Sequence, residues 1–430
     1  MAPDPWDALS LRAAAAEAPA ALALVDELRP YTFAELAAAL PEAPTAPVHA
    51  EGSVQTLLSL YAAWEARQPF APTHPRWPQA QRRAWAEAYV QAPVAPGTAL
   101  VVPTSGSSGP PRGVCLSPRA LVANAAASEA NLGWRPDDRW ALAMPLAHVG
   151  GLSVVSRSLI ARRPVVLSAR FEAPAFAARL IQDRVTLCSL VPTMLEALLA
   201  DPSWRPPPSL RAVLLGGAAA SEALLDAARA RGVPALTTWG MTETCGQVTT
   251  APLGAPPSAA QGAGRPLPGQ SVWADDAQRL WVDGDTLAHA WHPPAPWPGR
   301  PWRTGDLGHL DAEGRLHLLG RADEVIVTGG EKVHPAQVEA AATRHPGVEA
   351  ALAFASPDPR WGAVVALALV GSPAPGLLAA LEAALPTYAR PRLGVCVEAL
   401  PQTLTGKPSR RLAQRELGPT LAPAREVFPA

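Results

Sequence analysis

The chain has 430 residues, with 36 basic and 37 acidic side chains, a formal net charge of −1 and 48% hydrophobic residues. This length predicts two to four domains or subdomains with large buried cores, and the hydrophobic content argues against wholesale disorder. The balanced charge argues against a dedicated nucleic-acid binder, which normally carries a basic excess.

Neither a targeting signal nor a membrane span is expected from the sequence. The N-terminus has no basic segment before an apolar run, which argues against a secretory signal. The apolar stretches, such as residues 363–370, are much shorter than the roughly 20 residues of a spanning helix. No disulfide framework or cysteine zinc site is expected, because no C-x-x-C pair occurs among Cys115, Cys188, Cys245 and Cys396. We therefore expect a soluble cytoplasmic protein.

The first 40 residues are expected to be helical. An alanine-rich run covers residues 11–20, and Thr32 with Glu35 fits a capping box at a helix start. From about residue 98, apolar strands alternate with helical stretches. The expected strands are 99–102, 140–144, 164–167, 186–190, 211–215 and 235–238, and the expected helices are 120–131, 171–183, 192–200 and 221–231. This alternation predicts a largely parallel α/β sheet.

Two later regions have a different character. Residues 251–302 are rich in proline and glycine and carry short strands such as 278–282, which predicts a smaller β-rich subdomain. Residues 308–328 indicate a hairpin and a strand, and the tail from about residue 335 has its own helix–strand alternation. The predicted fold class is α/β: a large N-terminal domain of parallel α/β subdomains plus a small β-rich subdomain, followed by a small α+β C-terminal domain.

The first motif with chemical potential covers residues 104–113, Thr-Ser-Gly-Ser-Ser-Gly-Pro-Pro-Arg-Gly. It follows an expected strand, and we expect a helix after it. Hydroxyl residues interleaved with glycine let backbone N–H groups converge on phosphate oxygens, and Arg112 adds positive charge. The segment lacks the G-x-x-x-x-G-K-[ST] pattern of a Walker A loop. A flexible Ser/Gly surface loop is the alternative.

The second motif, Trp-Gly-Met-Thr-Glu-Thr at residues 239–244, directly follows the expected strand 235–238. Ligands of open α/β sheets bind outside the carboxyl ends of the strands. An indole, a glycine, a hydroxyl and a carboxylate at such a place could serve a base, a phosphate and a Mg²⁺ ion. A strand-end turn with an exposed acid is the alternative.

Two further residues stand out by their setting. Asp306 follows a glycine turn, where it could bond ribose hydroxyls or simply cap the turn. The chain has only two lysines, Lys332 and Lys407, in a sequence dominated by arginine. Arginine cannot replace a compact ammonium that must reach one oxygen, so Lys407, on a Gly-Lys turn, could stabilise a developing anion. A solvated surface lysine is the alternative, and the role of Lys332 stays open.

Together with residues 320–335 and 404–410, these motifs, in this order, resemble those of the adenylate-forming superfamily: acyl- and aryl-CoA ligases, peptide-synthetase adenylation domains and firefly luciferase. The resemblance covers roughly residues 20–415. It implies a reaction that uses ATP, Mg²⁺ and CoA. It further implies a hinge at Asp323 between an AMP-binding domain, residues 1–322, and a mobile C-terminal domain, residues 323–430.

The resemblance also implies roles for individual residues. The implied catalytic residues are Lys407, His148, Thr242 and Glu243, and Glu243 is also implied to hold the Mg²⁺. Arg112 stands where a lysine is usual and Trp239 where a tyrosine is usual. The implied nucleotide-binding residues are Thr104, Ser105, Gly106, Ser107, Ser108, Gly109, Arg112, Gly216, Gly217, Trp239, Gly240, Met241, Asp306 and Arg321.

Two segments, 145–153 and 189–195, resemble the branch of this superfamily that ligates o-succinylbenzoate to CoA in menaquinone synthesis. Ala147 replaces the phenylalanine usual there. Arg157 lies in an apolar helical run, where a buried arginine is costly unless it meets an anion, such as the second carboxylate of a dicarboxylic acid. An exposed helix face is the alternative for Arg157, and simple packing for His148. The implied substrate-binding residues are His148, Ser153, Arg157, Ser189 and Pro192.

The sequence thus predicts an ATP-dependent ligase that activates o-succinylbenzoate as an acyl-adenylate and transfers it to CoA. Its alternatives are another aryl- or acyl-CoA ligase, a free-standing carboxylate-adenylating enzyme, a non-catalytic nucleotide-binding relative, and a proline-rich interaction protein with 50 prolines. The expected partners are a small carboxylate, ATP and CoA, with no nucleic acid and no membrane span. The oligomeric state stays open, a homo-oligomer included.

Overall fold

The computed structural model describes residues 4–104, 112–403 and 408–428. Over these residues, the strands are β1 (Leu22–Val25), β2 (Pro30–Thr32), β3 (Val48–His49), β4 (Pro72–Thr73), β5 (Leu100–Thr104), β6 (Arg112–Leu116), β7 (Trp140–Leu142), β8 (Val165–Leu167), β9 (Leu187–Leu190), β10 (Ala212–Leu215), β11 (Ala235–Met241), β12 (Gly246–Thr250), β13 (Arg265–Pro266), β14 (Gln270–Ala274), β15 (Arg279–Gly284), β16 (Ala290–His292), β17 (Trp302–Leu310), β18 (Leu316–Arg321), β19 (Ile326–Thr328), β20 (Glu331–Val333), β21 (Val348–Asp358), β22 (Gly362–Gly371), β23 (Leu393–Cys396) and β24 (Ala422–Pro423).

The α-helices alternate with these strands along the chain. They are α1 (Pro5–Ala8), α2 (Leu11–Glu17), α3 (Phe33–Ala38), α4 (Val54–Glu65), α5 (Gln79–Gln91), α6 (Pro118–Leu132), α7 (Val149–Ile160), α8 (Ala173–Gln182), α9 (Pro192–Leu199), α10 (Glu222–Ala230), α11 (Pro335–Thr343), α12 (Leu377–Ala384), α13 (Arg410–Leu417) and α14 (Ala424–Val427). Within the described residues, no helix combines the length and apolar character needed to cross a membrane.

A sheet of nine described strands forms the centre of the large N-terminal domain. Its order is β13-β12-β11-β10-β9-β7-β8-β1-β2, and the strands from β11 to β1 pair in parallel. Successive strand residues face opposite sides, as a pleated strand requires. Val213 and Leu214, for example, belong to two different apolar clusters. Helices therefore cover both faces, and the carboxyl ends of the strands form one edge that is free for a site.

Smaller sheets surround this centre. Strands β14, β15, β17 and β18 form an antiparallel four-stranded sheet. The β-rich subdomain expected at residues 251–302 therefore has other bounds, because β17 and β18 extend it to residue 321 while β13 and β16 pair with other sheets. The C-terminal region has its own four-stranded sheet, β21-β22-β23-β24, with a separate apolar core around Val338, Leu367 and Leu381. The predicted fold class, with a large N-terminal domain, a parallel-strand sheet and a smaller C-terminal domain, is confirmed.

Three sequence expectations about local structure are wrong. The first 40 residues contain the paired strands β1 and β2 as well as helices. The strand predicted at 99–102 is β5, and it does not join the parallel sheet. The Ser/Gly motif is followed by a strand, β6, which pairs antiparallel with β5. Strands β5 and β6 pair because this buries the apolar side chains of both: Val101, Val102 and Val114 have no more than 1% exposure. The helix expected after the motif starts only after β6, where Ser117 is its N-cap residue.

Candidate active site

A tight turn lies inside the second motif, whose first three residues, 239–241, belong to the strand that was expected to end at residue 238. Strand β11 ends at Met241, and a single 3₁₀ turn, Thr242–Thr244, follows. The Thr244 hydroxyl accepts the Met241 N–H at 3.0 Å and lies 2.9 Å from the carbonyl oxygen of Gly246, which closes the turn. A side chain at Gly240 would overlap that carbonyl, because β11 and β12 approach closely there. Thr242 and Glu243 are thereby held at the carboxyl edge of the sheet.

Three sequence motifs meet at the Asp306 carboxylate. The Trp239 indole Nε1–H donates to Asp306 Oδ2 at 2.8 Å, and Arg321 Nη1 donates to Asp306 Oδ1 at 3.3 Å. The antiparallel register of β17 and β18 places Asp306 opposite Arg321. Arg321 Nε also donates to Asp323 Oδ1 at 3.1 Å, which connects this cluster to the expected hinge. Each oxygen of Asp306 is therefore held by a different donor.

Glu243 lies in the same neighbourhood and is partly buried. Burial raises the pKa of its carboxyl, and the charge of Asp306 acts in the same direction, while Arg321 lowers it. Within the described residues, no group of three or more His, Cys, Asp or Glu side chains could hold a metal ion. Mg²⁺ is commonly held by one or two carboxylates together with substrate phosphates and waters. Glu243 fits that role.

Arg157 is a buried cation without an anion. Its side chain, in α7, is only 3% exposed. Its Nε and Nη2 donate to Asn124 Oδ1 at 3.0 and 2.5 Å, and its guanidinium lies 5.6 Å from the centre of the Trp140 ring. Burial lowers its pKa to about 10, so it stays charged at neutral pH. No acidic side chain of the described residues forms an ion pair with it.

Two serines connect this cation to the rest of the site. Ser153 lies one helical turn before Arg157, and its Oγ is 3.5 Å from the carbonyl oxygen of Cys245, which follows the Thr242–Thr244 turn. Ser189 accepts the indole N–H of Trp140 at 3.1 Å. The region around Arg157 therefore adjoins the turn that carries Glu243.

His148 precedes α7 as its N-cap residue. Its ring lies 4.9 Å from the ring of His74, which is 3% exposed. Burial lowers the pKa of His74, with smaller contributions in the same direction from Arg76 and His49. The ring of His148 therefore lies against a His74 imidazole whose neutral form is favoured by burial.

The other predicted positions lie along the same edge or beside it. Gly216 and Gly217 directly follow β10, and Gly217 has a φ of +80°, a conformation that favours glycine. Thr104 ends β5, and its hydroxyl donates to the carbonyl of Arg112 at 3.2 Å, while the Arg112 side chain is exposed. Pro192 is the first residue of α9. Outside the described residues lie Ser105, Gly106, Ser107, Ser108, Gly109 and Lys407.

Sequence reasoning missed Asn124, Trp140 and His74 as members of the site. Asn124 and Trp140 are far from Arg157 in the chain, and an asparagine inside an alanine-rich helix carries no motif. An available signal for Asn124 was its polar amide on a helix that is otherwise mostly apolar.

Comparison with known proteins places this geometry in a family. The model of the AMP-binding enzymes matches residues 79–285, and that of the AMP-binding enzyme C-terminal domain matches residues 337–407. A 2-succinylbenzoate–CoA ligase of Bacillus pumilus is 35% identical over 330 residues, which cover 73% of this chain and 68% of that protein. The name 2-succinylbenzoate is a synonym of o-succinylbenzoate.

Solved structures agree with this relationship. The o-succinylbenzoate CoA synthetase of Bacillus subtilis, in complex with its acyl-adenylate intermediate, superposes with a TM-score of 0.84 at 27% identity, over 95% of this chain and 97% of the other. The same enzyme in complex with ATP and magnesium gives a TM-score of 0.82 at 26% identity, over 95% and 98%. The chain therefore belongs to the adenylate-forming family of AMP-binding enzymes, together with the 2-succinylbenzoate–CoA ligases.

Proposed function

We propose that this protein is an AMP-forming acid–thiol ligase of menaquinone biosynthesis, which activates 2-succinylbenzoate with ATP and transfers it to CoA. Its relatives support this activity, since they include a 2-succinylbenzoate–CoA ligase and a synthetase solved with its acyl-adenylate and with ATP and magnesium. The observation in this chain that carries the proposal is the buried, uncompensated charge of Arg157.

The nucleotide would lie along the carboxyl edge of the sheet. Asp306, which accepts from the Trp239 indole and the Arg321 guanidinium, would also accept the ribose hydroxyls. Thr242 would contact the phosphates, and Glu243 would hold Mg²⁺, which neutralises phosphate charge when bound. Arg112 would supply the charge of the Ser/Gly loop. A guanidinium there keeps the charge of the usual lysine with a different donor geometry.

The acid would lie between Arg157 and the nucleotide. A substrate with two carboxylates can place one beside the α-phosphorus and the other on Arg157, whose burial makes an ion pair strong. His148, Ser153, Ser189 and Pro192 would border this pocket. An amino acid would instead bring an ammonium group toward the Arg157 charge, which disfavours an amino-acid-activating enzyme.

The reaction would proceed in two steps. A carboxylate oxygen attacks the α-phosphorus of ATP, and pyrophosphate leaves. Lys407 would offset the negative charge on the carboxylate and on the α-phosphate. The C-terminal domain, residues 323–430, would then rotate about Asp323 and replace Lys407 by residues 329–331. The CoA thiolate attacks the acyl carbonyl, and AMP leaves.

The use of ATP and CoA as substrates supports the cytoplasm as the proposed location of the reaction.

The test is the Arg157→Leu substitution, measured by acid-dependent ATP–pyrophosphate exchange. We expect the KM for 2-succinylbenzoate to rise by about tenfold or more, because a hydrogen bond to a charged group is lost. The KM for ATP should stay unchanged. Arg119→Leu, on the exposed side of α6, is the matched control, and it should leave both constants unchanged. An unchanged KM for the acid in Arg157→Leu would refute the assignment.

A further inference from the structure

The group that holds Arg157 is a neutral amide. Asn124, in α6, is 1% exposed. Its Oδ1 accepts from both Nε and Nη2 of Arg157, and its Nδ2 donates to the backbone carbonyl of Gln247 at 3.3 Å. The carbonyl of Gln247 fixes the orientation of the amide, because it can only accept a hydrogen bond. The Asn124 oxygen therefore faces the guanidinium.

A second arginine in this chain shows the contrast. Arg211 is largely buried and meets the carboxylate of Asp138, which is 1% exposed, with a distance of 2.9 Å from Arg211 Nε to Asp138 Oδ1. That pair is neutral overall, as buried arginines usually require. Asn124 gives Arg157 two hydrogen bonds of the same kind without a negative charge. The site therefore keeps a full positive charge in the protein interior.

The geometry also fixes which part of the guanidinium is available. Asn124 occupies the edge formed by Nε and one proton of Nη2. The guanidinium carbon lies over the Trp140 ring, 5.6 Å from its centre. No other acceptor among the described residues bonds the guanidinium, so both Nη1 protons and the second Nη2 proton remain. That end of the guanidinium matches the two oxygens of one carboxylate.

We propose that Asn124 is a positioning residue that makes the enzyme selective for acids with a second carboxylate, because it orients Arg157 and leaves its charge for the substrate. The proposal rests on the proposed function, in which Arg157 receives that carboxylate. An aspartate at position 124 would supply the missing negative charge from the protein itself. It would therefore compete with the substrate for the same cation.

The experiment compares Asn124→Asp with the wild type by acid-dependent ATP–pyrophosphate exchange. The acids are 2-succinylbenzoate and its two one-carboxylate analogues, 4-oxo-4-phenylbutanoate and 2-butyrylbenzoate. We expect Asn124→Asp to raise the KM for 2-succinylbenzoate by about tenfold or more. Its kcat should change little, and the KM for the analogue that the wild type activates should stay the same or fall. The preference for the dicarboxylate is thus lost.

Asn131→Asp is the matched control, because Asn131 lies in the same helix and also donates its amide to a backbone carbonyl, that of Ala251 at 3.2 Å. Asn131→Asp should keep the wild-type ratio of the KM for 2-succinylbenzoate to the KM for the one-carboxylate analogue. An unchanged ratio in Asn124→Asp would overturn the proposal. If Asn124→Asp does not fold, Asn124→Ser decides. A weakened preference with an unchanged KM for ATP supports the proposal, and a wild-type preference overturns it.

The wild-type arm separates the two levels of inference. A wild-type enzyme without exchange on 2-succinylbenzoate would overturn the proposed function, and the role of Asn124 with it. A wild-type enzyme that prefers the dicarboxylate, together with an Asn124→Asp variant that keeps this preference, would overturn the role of Asn124 alone.

Discussion

At the scale of single residues, Trp239 does more than offer an aromatic face. Its indole N–H holds one oxygen of Asp306, and its ring packs into the apolar core of the β-rich subdomain. The tyrosine usual at this position has its polar atom at the end of the ring, whereas the indole N–H lies on its side. The tryptophan therefore adds a bond to the carboxylate that is expected to bind ribose.

Replacing Trp239 by phenylalanine removes this bond and keeps an aromatic ring. We expect the KM for ATP to rise by about tenfold, because Asp306 loses a hydrogen bond worth about 1.5–3 kcal/mol that orients the carboxylate expected to bind ribose. Trp281→Phe is the control, since Trp281 makes the same kind of bond, to Asp275 at 3.0 Å, away from the site. Steady-state kinetics with ATP would show the difference. Equal effects of the two substitutions would contradict a role for Trp239 in binding ATP.

The same scale shows what the sequence could predict about the site. Trp239, Glu243, Asp306 and Arg321 stand in short motifs, and each motif carries its chemistry in adjacent residues. Asn124 has no such context, because its partner lies 33 positions away and the contact depends on how α6 packs against α7. Tertiary packing decides such a contact, and a single sequence contains no direct record of it.

At the scale of elements, a buried ion pair holds the starts of three neighbouring strands. Asp138 precedes β7, Thr186 precedes β9, and Arg211 precedes β10. The carboxylate of Asp138 accepts from Thr186 Oγ1 at 2.8 Å and from Arg211 Nε at 2.9 Å. Burial opposes ionisation of Asp138, yet these donors outweigh it and lower its pKa. These bonds therefore tie together the starts of β7, β9 and β10.

Asp138→Asn should destabilise the protein by about 3–5 kcal/mol, because it leaves the Arg211 charge without its partner. The loss should be full at neutral pH and shrink as the pH falls through the lowered pKa of Asp138, where the wild type loses the same charge. Urea unfolding at several pH values measures this. The control is Asp226→Asn, in an exposed pair with Arg229, which should cost less than about 1 kcal/mol. A pH-independent loss would contradict this role of Asp138.

The close approach of β11 and β12 is a second property of elements. Gly240→Ala places a methyl group against the carbonyl of Gly246, so the two strands must separate where Thr242 and Glu243 are held. We expect a stability loss of about 1–3 kcal/mol, with a lower kcat for adenylation. Gly418→Ala is the control, because nothing lies near a side chain at that position. Wild-type kcat in Gly240→Ala would show that the turn tolerates this displacement.

Most helices and strands between residues 118 and 241 could be predicted, because their apolar periodicity and flanking glycines and prolines are local. The β5–β6 hairpin could not, since a short buried strand after a Ser/Gly segment has the same local pattern as a strand in a parallel sheet. The pairing partner decides between the two. The same holds for β1, which pairs with β2 and also with β8, about 140 residues later.

At the scale of the whole molecule, the two half-reactions should depend on different surfaces of the C-terminal domain. Lys407→Ala should abolish adenylation, because the ammonium proposed to offset the charge of the α-phosphate is lost, and should retain much of the thioester formation from supplied acyl-adenylate. Lys332→Ala is the control, since Lys332 is the other lysine of the chain and is exposed; it should leave adenylation intact. The two half-reactions are measured separately. Equal loss of both in Lys407→Ala would contradict a rotating domain.

The activity of the whole molecule is tested most directly by its product. The protein is incubated with MgATP, CoA and, in separate reactions, 2-succinylbenzoate, benzoate, a fatty acid and an amino acid, and the AMP and CoA thioester formed are quantified. We predict a thioester and an equal amount of AMP with 2-succinylbenzoate, and little with the other acids. A thioester formed only from another acid, or ATP binding without any thioester, would contradict the proposed function.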